Sequence, residues 1–214
     1  MEHRPTILVT GFEPFGGSAE NPSAVLAGHL VASGHPEATV VGGVLPVVGG
    51  TELGSARHAL DRLIDAYRPG AVICFGEAHV RGEVSVERVA VNLRDYRIAD
   101  NAGRSTTDEP VVPGSPAAWF ATLPVNAIVA ALRAEGVPAG RSLTAGTFLC
   151  NEVMFHALDR AQREGSGMLA GFVHLPQLES QHRLRPVDAR PIPLDELLRA
   201  GEVVVAETSR ALRG

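Results

Sequence analysis

Cysteine is nearly absent: Cys74 and Cys150 are the only two in 214 residues. Two thiols in a chain this long make no disulfide framework. No CxxC, HExxH or pair of histidines at ligand spacing offers a metal site, and Cys150, Glu152 and His156 do not share one helical face. No apolar run approaches the roughly 18 residues of a bilayer-spanning helix, so no membrane segment is expected. Aromatic residues are scarce, at 5%. Positive charge is not in excess either. The net charge of -5 and pI near 5.9 argue against nucleic acid or anionic membranes as partners, and for small-molecule or peptide chemistry. The stretch MEHRPTILVTGF runs into an apolar strand without the apolar core of a signal peptide, so the expected compartment is the reducing cytoplasm.

What is present suits one folded domain over residues 1–214. Hydrophobic residues make up 45% and charged residues 20%, enough of the first to bury a core and too few of the second for disorder. Apolar, β-branched runs at 6–10, 38–47, 71–76, 84–93 and 168–176 read as strands. Helical spacing lies between them. Asn21-Pro22 opens one helix with Val25, Leu26, His29 and Leu30 on a stripe. Thr51 opens a second, carrying Leu53, Ala56, Leu60, Leu63, Ile64 and Tyr67, that ends at Pro69-Gly70. A third bears Ile128, Val129 and Leu132, with Gly136 just past its end. A fourth follows Cys150, and a fifth spans most of 194–212. Strands alternating with amphipathic helices predict an α/β sandwich with a largely parallel sheet. Residues 94–124, rich in Gly, Pro, Ser and Thr, read as a long excursion of the kind that borders sites.

TILVTGFEPFGGSAENPS has the outline of a phosphate loop, but lacks GK[ST] and GxGxxG. Glu13 would repel a phosphate and no Lys is there to receive one. Phe12 and Phe15 are the more informative residues of this turn. They either cap the core or clamp a small flat ligand at a strand end.

Cys150 lies where a small-residue turn, TAG, enters a helix with Met154, Ala157, Leu158 and Ala161 on its inner stripe. It is either a small buried hydrophobe or a nucleophile whose thiolate the helix N-terminus favours, with backbone amides as an oxyanion hole. A nucleophilic thiol needs an imidazole. His3, His29, His35, His58 and His182 read as surface residues, and His156 points away around its helix. His174, in GFVHLP, stands at the carboxyl end of a strand. The orienting carboxylate could be Glu87, Asp100 or Glu77, and spacing does not choose among them. Glu87 shares a strand face with Val89, Val91 and Leu93, Arg88 points to the other face, and an edge Glu turned to solvent is the plain alternative. Cys74, inside AVICFG, reads as core.

Taken in order, TGFEPFGG…NPS, VSVERVAVN, SLTAGTFLCN and GFVHLP resemble the pyrrolidone carboxyl peptidases, or type I pyroglutamyl peptidases, over about residues 6 to 176. The resemblance implies a single-domain three-layer α/β/α sandwich and a cysteine peptidase without cofactor or metal, acting on peptides with N-terminal pyroglutamate and assembling as a homo-oligomer, tetramer or dimer. It implies Cys150 as nucleophile, His174 as acid/base and Glu87 as its orienting carboxylate. It makes Phe12 and Phe15 the ring-holding aromatics, and puts Asn21, Val47, Arg97, Ile98 and Leu149 in or near the site. Glu77 stands where the family usually has a Gln, and His79-Val80 where it has glycines. Glu152 replaces a frequent His and Ala99 a usual Pro. The expectation is a weaker hydrogen bond beside the nucleophile and a looser excursion loop. An ionised carboxylate at 77 only accepts hydrogen bonds. A Cys–His amidase of shifted acyl preference, and a non-catalytic small-ligand module, are the competing readings.

Overall fold

The computed structural model describes residues 4–184 and 186–214; His3 lies outside them. Each apolar run supplies a strand. β1 (Thr6–Phe12), β2 (Thr39–Leu45), β3 (Ala71–Glu77), β4 (Val84–Glu87), β7 (Ala139–Ser142) and β8 (Leu169–Leu175) form one six-stranded sheet in the order β2-β1-β3-β8-β4-β7. All neighbours are parallel except β4 against β8. β3 runs through the middle with Ala71 to Phe75 fully buried, as a strand covered on both faces must be.

The helices supply the covers. α1 (Pro22–Ser33), α3 (Val125–Ala134) and α6 (Leu194–Arg213) pack together on one face, and α2 (Ala56–Tyr67) and α4 (Leu149–Glu164) on the other. This is a three-layer α/β/α arrangement around a largely parallel mixed sheet. None of the helices among the described residues is long and apolar enough to cross a membrane. Asn21 caps α1 through its side-chain oxygen, which accepts from Ser23 N at 3.0 Å. The same turn locks onto β1, where Phe12 N–H donates to Ser23 Oγ at 2.9 Å. Gly11 is required there: a Cβ would fall 2.2 Å from the Ser23 carbonyl oxygen.

Several local expectations change. α2 begins at Ala56, with Ser55 as its cap, not at Thr51. Gly50 and Gly54 both take positive φ, so the backbone ahead of Ser55 is not helical, and Leu53 is exposed. VSVERVAVNL is two strands, not one. It breaks at Arg88, whose N–H donates to Ser142 O, and continues as β5 (Val89–Val91) paired with β6 (Ala118–Phe120) in a separate antiparallel ribbon. Glu87 therefore ends a strand of the main sheet, and Val89 and Val91 belong to another. Alternation reports which side a residue faces, not which neighbour pairs it, so it could not reveal the break. Arg88 does point away from Glu87: its guanidinium lies 5.2 Å from the Phe120 ring centre.

The excursion 94–124 contains β6 and is fastened elsewhere by side chains. Asp100 accepts N–H groups from Gly49, Ala102 and Arg104. Asn101 donates to Glu13 Oε1 and to Pro14 O. Glu13, expected to repel a phosphate, instead accepts from Asn101 Nδ2 and from Val47 N through the same oxygen. Ala99 thus lies beside an anchored segment. β7 and α5 (Glu179–Leu184) had no apolar signature; AGRS becomes a strand only through pairing with β4.

Candidate active site

The chain leaves β1, crosses to β2 on one face, and returns over β1 to β3 on the other. The carboxyl ends of β1 and β3 thus flank a switch point, where α/β sheets open a crevice. Phe12 at the end of β1, Glu77 at the end of β3, Val47 beyond β2 and Asn21 at the cap of α1 meet there. With Phe15, Phe148, Leu149 and Cys150 they line a small, mostly apolar pocket. Phe15 and Glu77 continue into a wider cleft with Gly16, Ser18, His79, Arg97, Ile98, Gln177, Pro186 and Val187. So Arg97 and Ile98 border the outer cleft, not the inner pocket. Asn21 reaches the pocket but spends its polar atoms on structure: Oδ1 caps α1 and Nδ2 donates to Glu13 O.

Beside the pocket, His174 on β8 lies in register with Gly76 on β3 and Ser85 on β4. Antiparallel pairing makes Glu87, two residues beyond Ser85, a diagonal neighbour of His174 on the same sheet face. Glu87 Oε1 is 2.7 Å from His174 Nδ1. Glu87 is fully buried between β8 and β7, so the solvent-turned alternative is overturned. Asp100 is spent on backbone N–H groups, and Glu77 accepts from Gln181 Nε2 at 3.0 Å.

Cys150 is the second residue of α4, in the turn whose N–H groups lack helical acceptors. Its sulfur rests against Gly76. A Cβ on that glycine would lie 3.1 Å from Sγ and 2.5 Å from the Phe172 ring. The thiol thus meets the same strand pair that carries His174, and the Phe172 ring lies tilted against the imidazole with centres 4.7 Å apart.

The electrostatics differ from the expectation of a thiolate at a helix mouth. Burial pushes the Cys150 thiol up to about 12, with the Glu87 charge adding to it and Arg81 opposing. Burial also lowers His174, although the hydrogen bond and charge of Glu87 work against it. Burial alone would raise Glu87, but the His174 hydrogen bond and charge, Ser142 and Arg81 together hold it below its ordinary value. The resting set is a neutral thiol, a neutral imidazole and an ionised carboxylate. Cys74 is wholly buried and its thiol is also raised, to about 11, by burial.

Some neighbours gave no sequence signal. Arg81 donates to Glu87 Oε1 at 2.5 Å. Phe148 lines the pocket and meets Tyr96 edge-on at 4.8 Å. Glu152, fully buried, accepts from Gly50 N and from the Tyr96 hydroxyl, so the bonding beside Cys150 is rebuilt rather than weakened. Asn151 clasps β5 through Val91 N and O. His156 turns to Asp61 on α2, at 2.8 Å. Among the described residues, no cluster of three or more His, Cys, Asp or Glu is placed to hold a metal ion.

Comparison with known proteins gives a family and a fold. The model of the family described as pyroglutamyl peptidase matches residues 5–210. The pyrrolidone-carboxylate peptidase of Chromobacterium violaceum is 46% identical over 200 residues, 94% of this chain and 90% of that one. Pyrrolidone-carboxylate peptidase 1 of Ralstonia nicotianae is 43% identical over 205 residues, 96% and 93%. Among solved structures, pyroglutamyl peptidase I from Bacillus amyloliquefaciens superposes with a TM-score of 0.91 at 33% identity, covering 97% of this chain and 96% of that one. A mutant pyrrolidone carboxyl peptidase from Pyrococcus furiosus gives 0.90 at 36%, covering 96% and 99%.

Proposed function

The chain belongs to the pyroglutamyl peptidase family, and from that premise we propose that it hydrolyses the amide bond after an N-terminal pyroglutamyl residue, with Cys150 as nucleophile, His174 as acid/base and Glu87 as orienting carboxylate. The observation that carries the reading is the buried Glu87–His174 pair between β4 and β8, beside the aromatic pocket that Cys150 lines.

His174 takes the thiol proton as sulfur attacks the pyroglutamyl carbonyl. With Nδ1–H donated to Glu87, the free Nε2 is the accepting atom, and the carboxylate stabilises the imidazolium that forms. Free N–H groups in the first turn of α4 stabilise the oxyanion. The imidazolium then protonates the departing amine, leaving a thioester on Cys150. Water deprotonated by His174 cleaves the thioester and releases pyroglutamate. Phe12, Phe15, Val47, Phe148 and Leu149 give the uncharged lactam an apolar seat, which suits an acyl group with no ammonium. Asn21 holds the turn that presents Phe12, while Arg97 and Ile98 border the path of the leaving chain.

Glu77 favours a second reading, an amidase of shifted acyl preference. Glu77 lines the pocket, and an ionised carboxylate there can accept the lactam N–H but cannot donate to a carbonyl. A panel of fluorogenic amides separates the two. Pyroglutamyl amide hydrolysed far faster than prolyl or glutamyl amides supports the first; the reverse order favours the second. Glu77→Gln is expected to change activity or its pH profile, and an unchanged profile removes Glu77 from recognition. The same proposal makes the chain one domain working as a homo-oligomer, dimer or tetramer, to be read by sedimentation velocity. Residence in the reducing cytoplasm fits two thiols that are not joined to each other.

A further inference from the structure

Arg81 stands on the β3–β4 connection, in a turn closed by its own N–H to Ala78 O at 2.8 Å. One guanidinium nitrogen donates to Glu87 Oε1, the same oxygen that faces His174 Nδ1. The other donates to Thr144 O at 2.8 Å. Thr144 lies in the loop that leads from β7 to Cys150, where its Oγ1 accepts Gly146 N and its carbonyl also accepts Ser142 Oγ. We propose that Arg81 is a positioning residue: it keeps Glu87 ionised as the acceptor for His174 in the resting enzyme, and fastens that pair to the loop delivering the nucleophile. The inference rests on the reading of Cys150, His174 and Glu87 as the reacting set.

A fully buried carboxylate needs a standing countercharge. His174 does not supply one at rest, because burial keeps it neutral. The other groups acting on the set are the Ser142 hydroxyl from β7 and the Cys74 thiol from β3. Arg81 is the fixed cation among them, and a guanidinium keeps its charge at every working pH. Its rigid planar fork reaches two separate acceptors from two nitrogens, whereas an ammonium is a single compact charge centre on a flexible stem.

The consequence lies in the tautomer. Were Glu87 to take a proton at rest, its O–H would donate to Nδ1 and the ring hydrogen would move to Nε2. That imidazole has no lone pair left for the thiol proton. An ionised Glu87 enforces the opposite tautomer, the one that can accept from Cys150.

Arg81→Met and Arg81→Lys, compared with wild type, test this with two readings across pH. One is the rate of Cys150 alkylation by iodoacetamide without substrate; the other is kcat and KM on a pyroglutamyl amide. Arg81→Met is expected to lose about tenfold to hundredfold in kcat with KM within about twofold. The acid limb of both profiles should move to higher pH, because Glu87 now protonates more readily. Arg81→Lys should return the limb toward wild type while leaving part of the kcat deficit. Unmoved acid limbs in Arg81→Met overturn the inference, as does a deficit confined to KM. If Arg81→Met does not fold, Arg81→Gln carries the same expectation, and an Arg81→Lys enzyme identical to wild type in kcat overturns the bridge to Thr144. A wild type that alkylates normally but hydrolyses no pyroglutamyl amide counts against the peptidase reading instead, and the alkylation profiles still decide the part played by Arg81.

Discussion

Gly76 has no side chain, and that space is what lets the Cys150 sulfur rest against β3, in register with the position of His174 on β8. Gly76→Ala would drive a methyl into the Phe172 ring and against Sγ. The expected result is a fall in kcat of about tenfold to hundredfold, as a displaced reacting atom produces, with a folded protein by circular dichroism; an unchanged kcat would show that the sulfur reacts from another position. Tyr96 offers a test that concerns stability instead. Tyr96→Phe leaves a buried Glu152 oxygen without its donor, at a cost of about 1–3 kcal/mol, measurable by urea unfolding. At this scale the sequence was only partly readable. The family motifs picked out Cys150, His174 and Glu87, and the structure brings His174 and Glu87 into contact. Arg81, Phe148 and the Tyr96–Glu152 pair were not visible, because each acts through partners far away in sequence: 63 residues separate Arg81 from Thr144, and 56 separate Tyr96 from Glu152.

Two elements make the arrangement possible. β4 runs antiparallel to β8 and so brings Glu87 beside His174, while the first turn of α4 brings Cys150 down onto β3. Apolar runs and helical stripes announced most elements, because burial on one face or two leaves a periodic trace. They did not announce β7, a strand by virtue of its partner, nor the break at Arg88, where one β-favouring run is divided between two sheets. The start of α2 was misread because Thr51 looks like a cap, whereas the glycines at 50 and 54 hold the backbone out of helix until Ser55. The junction of β1 and α1 carries its own prediction. Gly11→Ala places a Cβ against backbone, which cannot step aside as a side chain can. The expected loss is about 3 kcal/mol, at the upper end of overpacking costs, in the urea midpoint.

Across the whole molecule, the buried set links folding to pH. His174 is held below its ordinary value of 6.5 and Glu87 below 4.5, so at both sites the unfolded chain binds protons that the folded chain refuses. Stability from His174 is full above 6.5 and declines as pH falls below it; that from Glu87 is full above 4.5 and is lost on further acidification. Melting temperature should therefore drop on the acid side in two stages, and His174→Gln should flatten the first of them. A wild-type curve flat from neutrality into the carboxylate range would contradict this. The claim that all these parts serve is that one thiol cuts one kind of amide. Release of a fluorescent amine from a pyroglutamyl amide, by wild type beside Cys150→Ala, tests it most directly: the account predicts turnover in the first and none in a folded second, whereas equal rates in both would remove Cys150 from the chemistry.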